Sequence, residues 1–470
     1  MKKDTSAARL AAWLRSEARA ARAGDRLPST RALARQHGVS PVTVSRVLAA
    51  LSAEGLVVSR PGAGTFTARP PGPRAAADYS WQTLALADRT IDAAGLSPLA
   101  DPPDDDSLIS LATGYLHQSL MPTRALGAAL ARAARRPGAW DRPPAAGLHG
   151  LRAWFAQSAG PGTDARDVLV TPGGQGALTA AFRALAPAGA PLLVESPSYP
   201  GALAVARAAG IRPVPVPADG DGVIPEFLAE AFARTGAQAF YCQPAYANPT
   251  GAVLSGPRRA AVLAAAAAAG AFVIEDDCAR YLSHGRRPPP PLLADDGDGR
   301  VVLVTSLTKA ASPSLRVGAL IARGPVAGRL AAIRAVDDMF VPRPVQEAAL
   351  DLVSQPAWGR HLRDLGRALA DRSQALGQAL AARLPALDVA PPAGGMHLWA
   401  ALPAGLDDAE VALAARGGGT VVMAGRPFFP AEAPGPYLRL TFCAAPSVAD
   451  LDAGVRRLAA AVPALSAARR

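Results

Sequence analysis

From Ser40 to Leu51 the apolar residues Val44, Val47, Leu48 and Leu51 recur at i, i+3, i+4 and i+7, one face of a helix. Ser40 is placed to cap that helix, with Pro41 at its first position, where a missing N–H costs nothing. Thr43 and Arg46, with Ser45 at the edge, fall off the apolar face near the N-terminus. Upstream, Ser29 can cap a shorter helix over about residues 30 to 37, which Gly38 ends. Two helices across a three-residue turn, with small polar and cationic residues facing out, predict a helix-turn-helix. After Gly55, "LVVSRPGAGTFTA" reads as two β-prone runs around a Pro-Gly-Ala-Gly turn, a hairpin or wing with Arg60 at its tip.

The pattern changes past residue 106. Short Val/Leu/Ile runs alternate with Ala/Leu/Arg-rich helical stretches, which predicts a parallel, helix-flanked sheet. "AAVLAAAAAAGAFVIEDD" reads as a buried helix followed by a strand. Between the two regions, proline, alanine and aspartate clusters mark a connector, whose middle, "YSWQTLALADRTIDAAG", can form a short helix. The expected division is a winged module over 1–68, a linker over 69–105 and a large α/β domain over 106–470.

Composition narrows the class. No segment runs eighteen or more apolar residues, and charges recur along the N-terminus, so neither a membrane span nor a signal peptide is expected. The three cysteines are far apart and odd in number, which argues against a disulfide framework or a metal cluster. A cytoplasmic protein is expected. The net charge of +11 is segregated: residues 1–69 carry twelve Lys/Arg against four Asp/Glu, and the remaining 37 and 34 nearly cancel. A basic end on a near-neutral body points to a polyanion partner. The chain has only three lysines, Lys2, Lys3 and Lys309, and the last stands alone in a region that otherwise uses arginine.

Ligands of parallel sheets bind at the carboxyl ends of the strands, and five strand ends here finish in polar clusters. "TPGGQGAL" offers Gly173, Gly174 and Gln175 at a strand-to-helix turn suited to phosphate. "SPSYPG" offers Tyr199, "YANPTG" offers Asn248, and "VIEDDCAR" offers Glu275, Asp276 and Asp277. "TSLTKAASPSLRVG" places Lys309 after a buried strand, with Ser306, Thr308 and Arg316 about it. Each cluster alone also reads structurally, as a tight turn, a packing aromatic, an ion pair or a loop lysine. Together they meet the needs of one ligand, a phosphate-bearing pyridine aldehyde: an amine, a carboxylate, a stacking ring, an oxygen donor and a phosphate cup.

Two resemblances follow from these motifs. "LPSTRALA", "GVSPVTVSRVLAALSAEGL" and "GAGTF" resemble the winged helix-turn-helix of the GntR regulators. That likeness implies DNA contacts by Arg31, Ser40, Thr43, Ser45, Arg46 and Arg60, with Gly64 letting the wing approach phosphates. "SLTKAASPSLRVG", "NPTG", "EDD", "SPSYPG" and "GPYLRLTF" resemble fold type I pyridoxal-phosphate enzymes of the aspartate aminotransferase class. By that match Lys309 forms the imine with pyridoxal 5′-phosphate, Asp276 pairs with the pyridine nitrogen, Asn248 bonds the ring oxygen and Tyr199 stacks. Gly174, Gln175, Ser306 and Arg316 hold the phosphate, Gly173 and Thr308 also belong to the cofactor-binding set, and Arg439 holds a substrate or effector carboxylate.

Two departures stand out. Cys278 and Ala279 lie where the class usually has a tyrosine, and an aromatic from the neighbouring subunit has no clear match before "AAGLHGLRAWFA", Trp140 being nearest. The combination resembles the MocR (GabR-like) regulators. It implies a homodimer that senses pyridoxal phosphate, or its aldimine with an amine or amino acid, and binds a double-stranded operator. The alternatives are an aminotransferase carrying a DNA-binding appendage, and a regulator whose large domain only dimerises.

Overall fold

A computed structural model describes residues 6–68, 78–86, 105, 107–285 and 287–466. The chain divides into two compact units, Met1–Thr90 and Ile91–Arg470.

In the first unit the helices Thr30–His37 and Pro41–Ala53 begin at Ser29 and Ser40, whose side chains accept from the N–H of Ala32 and Thr43. Gly38 ends the first of them in the left-handed region, φ 62°. Val44, Val47, Leu48 and Leu51 are buried together with Leu33 and Val57. Val57–Arg60 pairs antiparallel with Gly64–Thr67 to make the wing. A further helix, Ser6–Ala20, closes this core with Leu10, Leu14 and Ala18, and Arg26 bridges to Phe66 as a third wing partner. In the expected connector, Ser80–Ala85 is helical with no buried residue. Residues 69–77 and 87–104 of that connector lie outside the described residues.

The second unit is built on an eight-stranded sheet in the order Val168–Thr171, Gly318–Ile321, Val301–Ser306, Phe272–Asp276, Ala239–Cys242, Pro191–Ser196, Arg212–Asp219 and Gly222–Val223. Alternate residues of each strand enter different cores. Leu193, Phe240, Val273 and Leu303 pack on one face, and Val194, Tyr241, Ile274 and Val304 on the other. Both faces are covered, which is why these strands read as continuous apolar runs.

The sheet is mixed, not parallel throughout as expected. Gly318–Ile321 runs antiparallel to both neighbours, and Gly222–Val223 is antiparallel to its partner. The cause is connection length: the segment between Val301–Ser306 and Gly318–Ile321 holds only a 3₁₀ turn at Pro313–Leu315, without the crossover helix a parallel return needs. The Ala-rich helix, Gly256–Ala268, is also not buried all round; Arg259, Val262 and Ala266 form its buried stripe. A four-stranded antiparallel sheet, with His397–Ala401 and Tyr437–Thr441 at its centre, completes the unit. Among the described residues no helix is long and apolar enough to cross a membrane.

Candidate functional site

The carboxyl ends of the five strands converge on a cavity of about 640 Å³. Gly174, Gln175, Tyr199, Asn248, Asp276, Ser306, Thr308, Lys309, Arg316 and Arg439 all line it, and Gly173 lies directly behind it against Arg316.

The first turn is a cup that requires glycine. Gly173 has φ 84°, and a Cβ there would stand 2.9 Å from the Arg316 guanidinium carbon. It precedes the helix Gly174–Leu185, whose free N–H groups and dipole favour an anion. Arg316, itself left-handed at φ 50°, donates from Nη2 to the Pro172 carbonyl at 2.8 Å. The Ser306 hydroxyl donates to Thr308 Oγ1 at 2.9 Å and accepts the Thr308 N–H at 3.1 Å, so this pair forms the cup's other wall. The Gln175 side chain does a different job: it accepts the Tyr199 hydroxyl at 3.2 Å and donates to the Gly201 carbonyl at 3.0 Å, fixing that ring.

Strand alternation sorts the three acids. Glu275 and Asp277 point away from the cavity: Glu275 accepts the N–H groups of Leu292 and Leu293, and Asp277 pairs with Arg280. Burial raises both above the usual carboxyl range. Asp276 alone faces the cavity. Its Oδ2 accepts the Tyr241 hydroxyl at 2.8 Å and the Gln243 side-chain amide at 2.9 Å. Gln243 also accepts the Asn248 N–H at 3.0 Å, so one amide sets both the carboxylate and the turn carrying Asn248.

Asn248 Oδ1 accepts from Arg439 Nη1 at 3.1 Å, and Arg439 Nη2 donates to the Ala112 carbonyl. The guanidinium is fully buried over the Phe428 ring, its Nε has no partner, and burial pulls its pKa down to about 10. Lys309 keeps part of its surface open to the cavity while protein surrounds it. Its Nζ donates to the Gly114 carbonyl at 2.7 Å, and burial pulls the amine down to about 8. His397, from the smaller sheet, lines the cavity too, and burial with the Arg439 and Lys309 charges holds it well below the ordinary imidazole range.

Gly114, Tyr115, Tyr241, Gln243 and His397 were not among the expected site residues. Gly114, Tyr115, Tyr241 and His397 stand in no polar strand-end motif, and Gln243, though it directly follows the strand Ala239–Cys242, carries no signal that separates it from an ordinary turn glutamine. Trp140 lines no part of the cavity and is 79% exposed.

On the winged module, Arg31, Ser45, Arg46 and Arg60 are exposed. The Ser40 and Thr43 hydroxyls bond each other at 2.9 Å and are occupied as the helix cap. Arg60 lies over the Phe66 ring, 5.1 Å from its centroid. Gly64, at φ 116°, faces the Arg26 guanidinium, which adds a cation to the wing that the sequence pattern does not single out.

Residues 107–458 match the model of aminotransferase class I and II, and residues 3–67 match that of the bacterial regulatory proteins of the gntR family. The HTH-type transcriptional regulator TauR of Rhodobacter capsulatus is 30% identical over 94% of this chain and 93% of its own. The probable rhizopine catabolism regulatory protein MocR of Rhizobium meliloti is 29% identical over 85% of this chain and 81% of its own. Among solved structures, the α-aminoadipate aminotransferase LysN of Thermus thermophilus, complexed with N-(5′-phosphopyridoxyl)-L-leucine, superposes with a TM-score of 0.76 at 29% identity. That match covers 82% of this chain and 99% of LysN.

An aminotransferase class I and II domain implies pyridoxal 5′-phosphate, and the cavity suits it. It has a cup that a Cβ would fill, a surrounded amine, a carboxylate clamped by two donors, and a guanidinium nitrogen left without a partner. The gntR match in turn implies DNA binding. The chain therefore belongs to the MocR-type members of the GntR family of HTH-type transcriptional regulators, in which a DNA-binding domain is joined to an aminotransferase class I and II domain.

Proposed function

We propose that residues 106–470 form a reversible covalent sensor whose state governs operator binding by residues 1–68, with 69–105 as the connection. When bound, pyridoxal phosphate supplies an aldehyde that condenses reversibly with amines and a ring that accepts electron density. Lys309 Nζ is the resident amine for that aldehyde. Its lowered pKa leaves a share of it unprotonated near neutrality, the form able to attack a carbonyl. Asp276, held by Tyr241 and Gln243, would pair with the ring nitrogen, Asn248 would bond the ring oxygen, and Tyr199, fixed by Gln175, would stack on the ring. Gly173, Gly174, Gln175, Ser306, Thr308 and Arg316 form the phosphate cup, the glutamine through its backbone N–H. Arg439 takes the carboxylate of an amino-acid effector that competes with Lys309, a pairing suited to a guanidinium.

The effector shifts the protein between two conformations in proportion to its differential affinity for them. A homodimer would carry two winged modules onto paired half-sites, where Arg31, Thr43, Ser45, Arg46 and Arg60 meet the duplex. The observation that carries this reading is Lys309, partly buried in the cavity with its pKa lowered, in the same chain as a complete winged helix. The assembled amine, carboxylate and guanidinium also favour a second reading, an aminotransferase with a DNA-binding appendage. Protein loaded with pyridoxal phosphate should take on a yellow visible band that Lys309→Ala lacks, and amino acids should alter both the band and operator affinity. A colourless wild-type protein sinks the sensor, and sustained turnover of an amino acid with a keto acid selects the enzyme.

A further inference from the structure

Lys309 carries a charge into a place poor in partners. One oxygen, the Gly114 carbonyl, accepts from Nζ at 2.7 Å. The next feature is the ring face of Tyr115, whose centroid lies 4.1 Å from Nζ. Both come from the stretch between the strand Ile109–Ser110 and the turn Gln118–Leu120, which contributes none of the strand-end motifs. The other ionisable groups around the amine are Arg439, which opposes its charge, and Asp276, Cys278 and Cys443, which favour it. His397 approaches from the smaller sheet and is itself disfavoured as a cation by Lys309. A ring face at this distance attracts an ammonium through its quadrupole, most strongly where water is excluded. The second and third positions after Asp276 hold Cys278 and Ala279 instead of a tyrosine, and Tyr281 beyond them packs against Trp154 and Trp358 and does not line the cavity. The aromatic that meets the reactive nitrogen enters from a different part of the chain.

We propose that the face of Tyr115 is the second partner of the Lys309 ammonium and sets how readily this amine loses its proton. Tyr115 is thus a positioning residue that acts through Lys309. Its consequence for the sensor rests on the reading above, in which Lys309 is the cofactor amine; its effect on ionisation does not. The inventory of lysines makes the test direct. Lys309 is one of three, and the other two are Lys2 and Lys3 at the extreme N-terminus. Full-length protein labelled with [ε-¹³C]lysine and free of cofactor therefore gives a spectrum in which the buried signal is separable, and its shift can be followed against pH.

In Tyr115→Leu the midpoint should fall by about one pH unit, equivalent to about 1.4 kcal/mol. In Tyr115→Phe, which keeps the ring, it should stay within a few tenths of a unit. Tyr115→Met fills the space without a ring and replaces the leucine variant should that one not fold. An unchanged midpoint in the ringless variants overturns the proposal. An equal fall in the phenylalanine and leucine variants assigns the effect to the hydroxyl and overturns it as well. A wild-type protein that never turns yellow with pyridoxal phosphate would defeat the sensor and leave this titration standing.

Discussion

Glu195 does not line the cavity and sits behind Gln243, which does. Its carboxyl accepts the backbone N–H of Gln243 at 2.8 Å, and burial, with Asp276 nearby, pushes its pKa up to about 7. A carboxyl whose folded pKa is raised adds stability below its unfolded value and loses it as pH rises through the folded one. The affected window thus runs from pH 4.5 to about 7. Glu195→Gln keeps an oxygen for the Gln243 N–H and cannot ionise. Its melting temperature should match wild type near the bottom of that window and exceed it above the top. The difference is bounded by about 3 kcal/mol. Parallel melting curves across the window would reject this account.

The same residues show what a sequence can and cannot convey at this scale. Lys309, Asp276, Asn248 and Arg316 announce themselves: lysine is rare here, Asp276 ends an apolar strand in a run of acids, and Asn248 and Arg316 sit in turns with a proline or glycine within three residues. Gln243 and Tyr115 do not. Their roles depend on which elements fold next to one another, and no spacing encodes that.

At the scale of elements, legibility follows periodicity. The helix Pro41–Ala53 has an apolar stripe, a serine cap and a proline start, and its first residue was readable directly. The helix Ser6–Ala20 also has a stripe, Leu10, Leu14 and Ala18, but its sequence is interspersed with Arg9, Arg15, Glu17 and Arg19 and has no proline at its start. Its packing role was not legible, because frequent charges there spoke only against a signal peptide. Strand order was legible only in part. Apolar runs disclose a sheet with two covered faces, and they say nothing of direction, so the reversal at Gly318–Ile321 needed the connection length as well. Leu14 is wholly buried, so Leu14→Ala should cost about 2–5 kcal/mol. Hydrogen exchange should quicken in both Ser6–Ala20 and Pro41–Ala53, and DNA affinity should drop while the yellow band persists. If exchange quickened in the first helix alone, that helix would not be part of the recognition module's core.

For the molecule as a whole, the informative quantity is where charge sits. Residues 1–69 hold a net +8 of the chain's +11, so about three charges remain for the other 401 residues. A chain that bound polyanions through its whole surface would spread that excess. Here it is confined to the module with an exposed Arg46 near the start of Pro41–Ala53 and an exposed Arg60 at the wing. The two arginines should therefore fail differently. If Arg60 meets a phosphate, as its place on the wing suggests, Arg60→Ala should weaken affinity alike on operator and random duplex, and the slope of log affinity against log salt should lessen by about one. If Arg46 reads a base, Arg46→Ala should cost operator binding about 1–3 kcal/mol and scarcely affect random duplex. A duplex selected by the protein from a random pool supplies the operator, and titrations at several salt concentrations supply both slopes. If the variants behave alike on the two duplexes, the helix does not read bases, and the fused sensor would be controlling a non-specific grip on DNA.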